Sequence, residues 1–415
     1  MTSRVPSRTS PAPGRAKLRV VGGRPQSRRA AEFFAGTGLV RLGLESAGFT
    51  VCWSNDYSPD KHAMYRGHFR DVAGGHTFVL GDVGDVSGEH LPDGLALAWA
   101  SFPCTDLSLA GDREGLRRGE SKSFWDFTRI LREMGDRRPG VVALENVTGL
   151  ATSHGGDDLA AAVAELNDLG YSVDVLALDA RRFVPQSRAR LFLVGAQSPP
   201  PDAPEPNNEL RPDWLQAVYG NPALRTHRAA LPTLPAPLTS GLGALIETMP
   251  ADDERWWSPE RAGRFLSSLS ALQAGRLAAL QAGRRTVYRT AYRRTRNSVA
   301  VWEIRPDDIS GCLRTARGGS SKQAVVQAGR GRVRVRWMTP LEYARLMGAG
   351  DYSLAGVRPN QAYFGFGDAV CVPVVSWLAE HYLIPLVDRT TRADPASDRA
   401  ETAAETAADT DAAVG

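Results

Sequence analysis

The 415-residue sequence predicts an α/β protein with a doubly wound sheet joined to a smaller, loop-rich domain. Short apolar runs alternate with amphipathic stretches in the first half of the chain, as expected when helices connect parallel strands. The alternation stops near Gln197, where the proline-rich stretch 198–206 marks a boundary. With 42% hydrophobic residues, the chain can bury a large core and a smaller appended unit.

Seven apolar runs are predicted to be the strands of the sheet, and helical periodicity predicts the helices between and after them. The predicted strands cover residues 31–34, 50–54, 78–80, 95–100, 141–144, 173–178 and 191–194. The predicted helices cover residues 39–47, 124–134, 159–169, 340–347 and 372–383. We expect the last two helices to pack back on the first sheet, which makes the first domain discontinuous.

The chain is predicted to have five parts. Residues 1–28 form a basic tail and residues 389–415 a tail rich in Ala, Thr and Asp, and both are expected to be disordered because they lack hydrophobic periodicity. Residues 29–197 form the first domain, residues 198–335 the second, and residues 336–388 the C-terminal part of the first.

Cysteine usage and hydropathy favour a protein of the cytoplasm. The four cysteines are scattered without CxxC spacing, which predicts neither a metal site nor a disulfide framework. No apolar run was found that is long enough to span a bilayer, and the N-terminus lacks the apolar segment of a signal peptide. We therefore expect a soluble, cytoplasmic protein without membrane contact.

Positive charge is concentrated in one segment of the second domain. Fourteen Lys or Arg residues and only three acidic residues lie between Arg284 and Arg336, although the formal net charge of the whole chain is +4. Such a segment is expected in proteins that bind a phosphate backbone, and a solvated surface is the alternative explanation. The charge favours a nucleic acid partner.

A glycine turn after the first predicted strand indicates a cofactor site. Residues 34–38 read Phe-Ala-Gly-Thr-Gly, and glycines let the backbone approach a ligand closely. Asp56 ends the next apolar run, where a carboxylate can accept hydrogen bonds from ribose hydroxyls, and Tyr57 can stack on adenine. Asp82 follows the third run and suits the adenine amino group. Each aspartate alone is equally well explained as a turn residue.

The spacing of this turn distinguishes between two cofactors. Leu39, Val40 and Arg41 follow Gly38, so the GxGxxG spacing of nicotinamide-binding loops is absent. S-adenosylmethionine is therefore the better candidate.

Three further segments carry groups suited to one chemistry. Cys104 follows a predicted strand and Pro103, at the edge where open α/β sheets bind ligands. Glu145 ends an apolar run, where a carboxylate needs a partner or a task. Arg188 and Arg190 precede the last predicted strand. Each group alone has a simpler explanation: a structural Pro-Cys pair, or a salt-bridged strand edge.

Together these groups fit addition to a cytosine ring. A thiolate can add to carbon 6 and raise the electron density at carbon 5, which is otherwise a poor nucleophile. The addition is easier when a carboxyl group such as Glu145 protonates or hydrogen-bonds ring nitrogen 3. Arg190 can hold the carbonyl at position 2, with Arg188 and Gln186 organising the loop around it.

Eight sequence pieces occur in a fixed order between about residues 31 and 385. They are residues 34–38, 55–57, 81–83, 102–104, 145–147, 186–190, 336–342 and 367–370. In this order they resemble the motifs of the DNA (cytosine-5) methyltransferase family, the bacterial C5-cytosine methylases that depend on S-adenosylmethionine. An ordered set of eight is highly specific.

The resemblance implies a Rossmann-like methyltransferase sheet in the catalytic and cofactor-binding domain, with residues 198–335 as the target-recognition domain. It implies that Cys104 is the nucleophile, that Glu145 acts at ring nitrogen 3 and that Arg190 contacts the cytosine carbonyl, with Arg188 beside it. The implied S-adenosylmethionine pocket is lined by Phe34, Gly36, Gly38, Asp56, Tyr57, Asp82, Pro103, Ser123, Asp368 and Val370.

The implied activity is methyl transfer to carbon 5 of a cytosine flipped out of a specific double-stranded DNA sequence. At family level, this implies restriction-modification or phage defence, with a cognate restriction endonuclease or other defence components as partners. We expect a monomer. The expected DNA contacts are Arg289, Arg293, Arg294, Arg314 and Arg317.

The sequence departs from the family pattern at three positions. Phe102 stands where a second proline is usual, Thr105 where glutamine commonly follows the cysteine, and Asp368 where asparagine is usual. Thr105 matters most, since the glutamine helps to fill the gap left by the extruded base. Asp368 adds a negative charge near the cofactor.

Two alternative functions remain open at this point. The first is cytosine-5 methylation of RNA, which one relative of the family prefers, but its usual Cys-Phe-Thr signature is missing here. The second is an inactive DNA-binding relative, which the intact set of Cys104, Glu145 and Arg190 argues against.

Overall fold

The computed structural model describes residues 28–70, 75–103, 122–204, 209–296, 299–314 and 322–393. Seven of its strands form one sheet: β1 (Arg29–Phe33), β2 (Thr50–Asp56), β3 (Thr77–Leu80), β4 (Leu97–Ala100), β5 (Val141–Val147), β6 (Ser172–Asp179) and β7 (Ala189–Ala196). Their order across the sheet is β3-β2-β1-β4-β5-β7-β6. All seven predicted strands are thus confirmed.

Strand β7 is the reversed member of this sheet. Strands β1 to β5 pair in parallel, whereas β7 pairs antiparallel with both β5 and β6. The apolar pattern of a strand does not report its direction, so this reversal could not be predicted from the sequence. Because β7 is reversed, its amino end meets the carboxyl end of β5, where Arg190 pairs with Val147.

Twelve α-helices are present among the described residues, beside several short 3-10 helices. They are α1 (Leu39–Ser46), α2 (Pro59–Phe69), α3 (Ser123–Glu133), α4 (Asp157–Asp168), α5 (Gln216–Tyr219), α6 (Leu242–Leu245), α7 (Pro259–Ser267), α8 (Ala271–Ala282), α9 (Pro340–Leu346), α10 (Pro359–Asp368), α11 (Val372–Leu378) and α12 (Ile384–Ala393). A π-helical turn, Ala379–Leu383, joins α11 to α12. The five predicted helices are confirmed.

Helix α2 was missing from the sequence analysis because its apolar stripe is narrow. Only Met64 and Tyr65 are buried along its eleven residues. Its start does carry a readable signal, since the Ser58 side chain accepts a hydrogen bond from the Lys61 backbone and Pro59 occupies the first turn.

A second sheet lies in the region that was expected to be rich in loops. Strands β8 (Val287–Arg296), β9 (Val299–Ile304), β10 (Ala324–Gly329) and β11 (Arg332–Trp337) pair antiparallel in the order β11-β10-β8-β9. Phe265 on α7 and Leu277 on α8 are buried in the core of this sheet. The region therefore has its own small core, although the described chain has no helix or strand between residues 220 and 241.

The C-terminal helices pack on the first sheet. Val375 and Leu378 of α11 belong to the same buried cluster as Val141 of β5. A Cβ atom at Gly43 of α1 would lie only 2.5 Å from Val375 Cβ, so the absence of a side chain there lets α1 and α11 touch.

One segment near the C-terminus differs from the expected absence of a membrane-length apolar run. The segment Pro359–Thr390 is long and apolar enough, by length and composition alone, to cross a membrane, which the sequence analysis overlooked. Most of this segment is buried in the fold, and a core helix has the same composition.

Two of the expected domain boundaries lie inside secondary-structure elements. Helix α12 continues past the expected boundary at residue 388 and ends at Ala393, and strand β11 crosses the expected boundary at residue 335. The division into domains otherwise stays a prediction, and residues 1–27 and 394–415 of the tails lie outside the described residues.

Candidate active site

The segment that leads to Cys104 lies beside the end of β5. Cys104 itself is outside the described residues, which stop at Pro103 and resume at Lys122. Phe102 is buried, and its backbone carbonyl accepts a hydrogen bond of 3.2 Å from Asn146 Nδ2. Because Asn146 follows Glu145 on β5, this bond fixes the residues before Cys104 next to the candidate acid.

Glu145 and Arg190 form an ion pair at this edge of the sheet. Arg190 Nε lies 2.9 Å from Glu145 Oε1, and both side chains are largely buried. The antiparallel pairing of β5 and β7 brings them together, although 45 residues separate them in the sequence. Glu145, the candidate acid, and Arg190, the candidate partner of the cytosine carbonyl, therefore lie in one small site. Cytosine recognition requires this, because ring nitrogen 3 and the carbonyl at position 2 are adjacent.

Arg188 has a different role from Arg190. Its side chain is buried, with Nη1 donating to the Leu313 carbonyl at 2.9 Å and to Cys312 Sγ at 3.3 Å. Its Nη2 donates to the carbonyls of Gly367 at 3.1 Å and Ala369 at 2.6 Å. Both terminal nitrogens are thus engaged by the protein. These contacts join three segments and fit a positioning role for Arg188, whose catalytic role stays a prediction.

Gln186 and Cys312 complete the surroundings of these arginines. Gln186 is fully buried; its Oε1 accepts from the Leu313 backbone at 3.1 Å and its Nε2 donates to the Leu346 carbonyl at 2.8 Å. Burial alone would raise the pKa of the Cys312 thiol, but the nearby guanidinium groups of Arg188 and Arg190 lower it below its usual value. Cys312 was not among the predicted site residues, because no local motif marks it.

The two glycines of the predicted cofactor turn serve different purposes. Gly36 and Gly38 both have positive φ angles, 57° and 79°. A Cβ atom at Gly36 would make only ordinary contacts, at 3.9 Å from Lys61 Cδ and from the Phe34 carbonyl oxygen, so packing does not require glycine there. A Cβ atom at Gly38 would instead collide with the rings of Tyr65 and Phe69, so Gly38 allows α1 and α2 to pack.

Asp56 and Asp82 are held by backbone groups near this turn. Asp56 Oδ2 accepts from the Gly36 amide and its Oδ1 from the Ser58 amide, both at 2.8 Å. Asp82 Oδ1 accepts from the Gly84 amide at 2.8 Å. Both aspartates therefore act as turn residues, yet each carboxylate oxygen keeps lone pairs for a ligand. The two explanations offered by the sequence are compatible.

A pocket of about 650 Å³ opens next to Asp56. It is lined by Tyr57, whose side chain is 58% exposed, and by Asp368 at the end of α10. Lys61 of α2, which the sequence analysis missed, also lines it and lies 2.9 Å from Asp368 Oδ2. Of the predicted cofactor residues, Tyr57 and Asp368 line this pocket, and Gly36, Asp56 and Asp82 do not. An exposed aromatic ring and charged side chains of both signs fit a cofactor with an adenosine moiety and a charged tail.

The other predicted pocket residues lie at the ends of elements. Phe34 follows β1 with a positive φ of 57°. Ser123 is the first residue of α3, and Val370 is buried directly after α10. Pro103 is partly buried at the end of the described segment.

The five predicted DNA contacts differ in exposure. Arg293 and Arg294 on β8 and Arg314 are exposed, and Arg294 lies 3.7 Å from Glu303. Arg289 is only 14% exposed and pairs with Asp308 at 3.3 Å, which leaves it little surface to offer a DNA strand. Arg317 lies outside the described residues.

Comparisons with known proteins find related sequences along most of the chain. The model of the C-5 cytosine-specific DNA methylase family matches residues 29–383. The chain is 26% identical over 356 residues to the Type II methyltransferase M.Bsp6I of Bacillus sp. (strain RFL6), covering 85% of this chain and 97% of that protein. It is 28% identical over 350 residues to the Type II methyltransferase M.NlaX of Neisseria lactamica, covering 84% and 94%.

Solved structures show the same fold. The S. pombe Dnmt2 methyltransferase aligns with a TM-score of 0.53 and 16% identity, over 87% of this chain and 99% of that chain. The Entamoeba histolytica methyltransferase EhMeth aligns with a TM-score of 0.55 and 14% identity, over 86% of this chain and 98% of that chain. With the family match across most of its length, this chain belongs to the C-5 cytosine-specific DNA methylase family, whose methyl donor is S-adenosylmethionine.

Proposed function

We propose that this protein methylates carbon 5 of a cytosine within a specific sequence of double-stranded DNA, through a covalent adduct with Cys104. The ion pair between Glu145 and Arg190, beside the segment that leads to Cys104, is the observation that supports this most directly. S-adenosylmethionine, when bound, supplies the methyl group, and the residues of this chain prepare the base to accept it.

The proposed reaction begins with attack of the Cys104 thiolate on carbon 6 of the cytosine. A new bond joins sulfur to carbon 6, and the electron pair of the ring double bond moves to carbon 5, which takes the methyl group. Glu145 protonates or hydrogen-bonds ring nitrogen 3 as charge develops, and Arg190 hydrogen-bonds the carbonyl oxygen. Loss of the carbon 5 proton and of the thiolate then restores the aromatic ring.

The base must leave the double helix to reach this site. Base flipping brings a target atom within reach of catalytic groups that cannot enter the stack. Exposed arginines of the recognition region, including Arg293, Arg294 and Arg314, are suited to hold the DNA phosphates or base edges. We therefore propose that the surface carrying these arginines receives the duplex.

We further propose a role in a restriction-modification system of the cytoplasm. Two relatives that match most of the chain's length are named Type II methyltransferases, which supports such a role here. The partner expected on this basis is a restriction endonuclease with the same target sequence, and we expect the methyltransferase to act as a monomer.

Bisulfite sequencing of a methylation-free bacterial host that expresses the protein tests this function. We expect protected cytosines in one sequence context, and none with Cys104→Ser, because the serine hydroxyl is a far weaker nucleophile than a thiolate. Cys52→Ser is the matched control: Cys52 is buried on β2 and its thiol donates to the Ala30 carbonyl, which a hydroxyl can also do. We expect it to retain methylation.

Binding of S-adenosylmethionine by the purified variants separates the possible failures. Cys104→Ser should retain cofactor affinity, because the thiol is not needed to hold the adenosyl group. Full methylation by Cys104→Ser would rule out the proposed mechanism. A native protein that binds cofactor but protects no DNA cytosine would direct the test to RNA or to the inactive DNA-binding alternative.

A further inference from the structure

The candidate cofactor pocket contains an ion pair that the family motifs do not predict. Lys61 Nζ lies 2.9 Å from Asp368 Oδ2, and both residues line the pocket. Asp368 occupies the position where the resemblance predicts an asparagine. In this chain, the additional negative charge of Asp368 therefore occurs together with a cationic partner, Lys61.

Lys61 is placed between the glycine turn and the end of α10. Its Cδ atom is 3.9 Å from the point where a Cβ atom of Gly36 would lie, and its side chain is only 20% exposed. Burial alone would lower the pKa of Lys61, but the carboxylates of Asp368 and Asp56 raise it above its usual value. The ammonium group is thus held charged in the wall of the pocket.

The two charges of this pair differ in their exposure to solvent. The Asp368 side chain is 49% exposed, so solvent screens its charge in part, whereas the Lys61 side chain is only 20% exposed. The amino acid end of the expected cofactor carries both an ammonium and a carboxylate group. An ion pair offers one charge complementary to each of them.

We infer that Lys61 and Asp368 together recognise the amino acid end of the cofactor, with Lys61 facing its carboxylate and Asp368 its ammonium group. This inference rests on the proposed function, because it assigns a ligand to the same site. Lys61 is then a binding residue for S-adenosylmethionine that the family motifs do not contain.

A second ion pair links the same two helices and provides a control. Arg358 Nη2 lies 2.9 Å from Asp60 Oδ1, and both residues also line the pocket, but their side chains are 73% and 63% exposed. Solvent screens such a pair strongly. If the ion pairs served only to dock α2 against α10, removal of either pair would change ligand affinity to a similar extent. We expect Lys61 alone to recognise the ligand.

Calorimetric titration with two ligands tests the inference. S-adenosylhomocysteine and 5′-methylthioadenosine share the adenosine and a neutral sulfur, and only the first has the amino acid end. We expect Lys61→Met to weaken S-adenosylhomocysteine binding about tenfold and 5′-methylthioadenosine binding less than about twofold, since one charged contact is lost. Arg358→Met should change neither affinity more than about twofold.

The double variant Lys61→Met/Asp368→Asn distinguishes recognition from damage to the fold. We expect it to bind S-adenosylhomocysteine more tightly than Lys61→Met does, because the uncompensated carboxylate is gone. Equal losses for both ligands, or an unchanged affinity in Lys61→Met, would overturn the inference. A native protein that binds neither ligand would instead contradict the proposed function.

Discussion

Glu32 is a carboxyl group buried in the middle of β1, close behind the glycine turn. It has no solvent exposure; Ser54 Oγ donates to its Oε2 at 3.4 Å, and its Oε1 has no hydrogen-bond partner among the described residues. Burial raises the pKa of Glu32 from 4.5 to about 8. The folded protein therefore keeps a proton on Glu32 at neutral pH that the unfolded chain releases.

This proton makes stability fall as the pH rises. Between about pH 4.5 and pH 8 the folded state binds more protons than the unfolded state, so the Glu32 contribution decreases the free energy of unfolding by up to about 1.4 kcal/mol per pH unit. We expect Glu32→Gln to remove this slope. Urea unfolding at pH 5.5, 6.5 and 7.5 checks it. Glu89→Gln, at an exposed position, is the control and should leave the slope as it is in the native protein. A slope that Glu32→Gln does not change would contradict the expectation.

Single residues differ in how far the sequence could assign them. Glu145 was predicted because a carboxylate that ends an apolar run needs a partner or a task, and Arg190 because it fits the cytosine carbonyl and belongs to an ordered set of family motifs. Lys61 could not be identified in this way. Its significance depends on Asp368, which is 307 residues away, and no local pattern reports such a contact.

At the scale of elements, the contact between α1 and α2 depends on Gly38. This residue precedes α1 with a φ of 79°, and a Cβ atom there would lie 2.7 Å from the Tyr65 ring. We expect Gly38→Ala to lower the free energy of unfolding by about 1–3 kcal/mol, through the strained backbone and the overpacked contact. The affinity for S-adenosylmethionine should fall as well, because the turn that includes Gly36 must shift.

Gly67 in α2 provides the matched control. A Cβ atom there would meet nothing within 4 Å, so Gly67→Ala should stabilise the protein by about 0.5–1 kcal/mol through the better helix propensity of alanine. Urea unfolding and cofactor titration of both variants check the pair. If Gly38→Ala proved as stable as Gly67→Ala, the packing argument would be wrong.

The elements that the sequence predicted are those with a clear apolar pattern. Strands β1 to β7 and helix α4 have buried faces that their hydropathy reports. Residues 286–290 look like part of a strand, but the full length of β8 was not predicted, because its ten residues include four arginines and therefore look like a solvated loop. The strand exists because Ala291 and its neighbours pack in the second core, a contact between distant segments that local patterns do not contain.

For the whole molecule, Arg188 is the point where three distant segments meet. It belongs to the segment before β7, and its guanidinium group binds residues 312–313 on one side and the carbonyls of Gly367 and Ala369 on the other. Residues 312–313 lead into the basic stretch that contains Arg314, while Asp368 lies in the candidate cofactor pocket. One buried side chain therefore connects the proposed recognition region to the candidate cofactor pocket.

Replacement of Arg188 should loosen the contact between these segments and lower the free energy of unfolding. Arg188→Met leaves buried carbonyl groups without donors, so we expect a loss of about 3–5 kcal/mol in the free energy of unfolding, as for a broken buried network. Arg188→Lys keeps the positive charge, but one ammonium group cannot reach both sides. We expect its stability to lie between that of the native protein and that of Arg188→Met.

Hydrogen exchange shows whether the loss involves the connected segments. In Arg188→Met, amides of residues 312–314 and 367–370 should exchange faster than in the native protein, because both segments lose the same anchor. Arg138→Met is the control: Arg138 also donates to backbone carbonyls, those of Gly135 and Leu169, but within the first domain. If Arg138→Met produced the same pattern, or if only one of the two segments responded to Arg188→Met, Arg188 would not be the link between them. A response of both segments would mean that Arg188 couples the proposed recognition region to the segment at the end of α10.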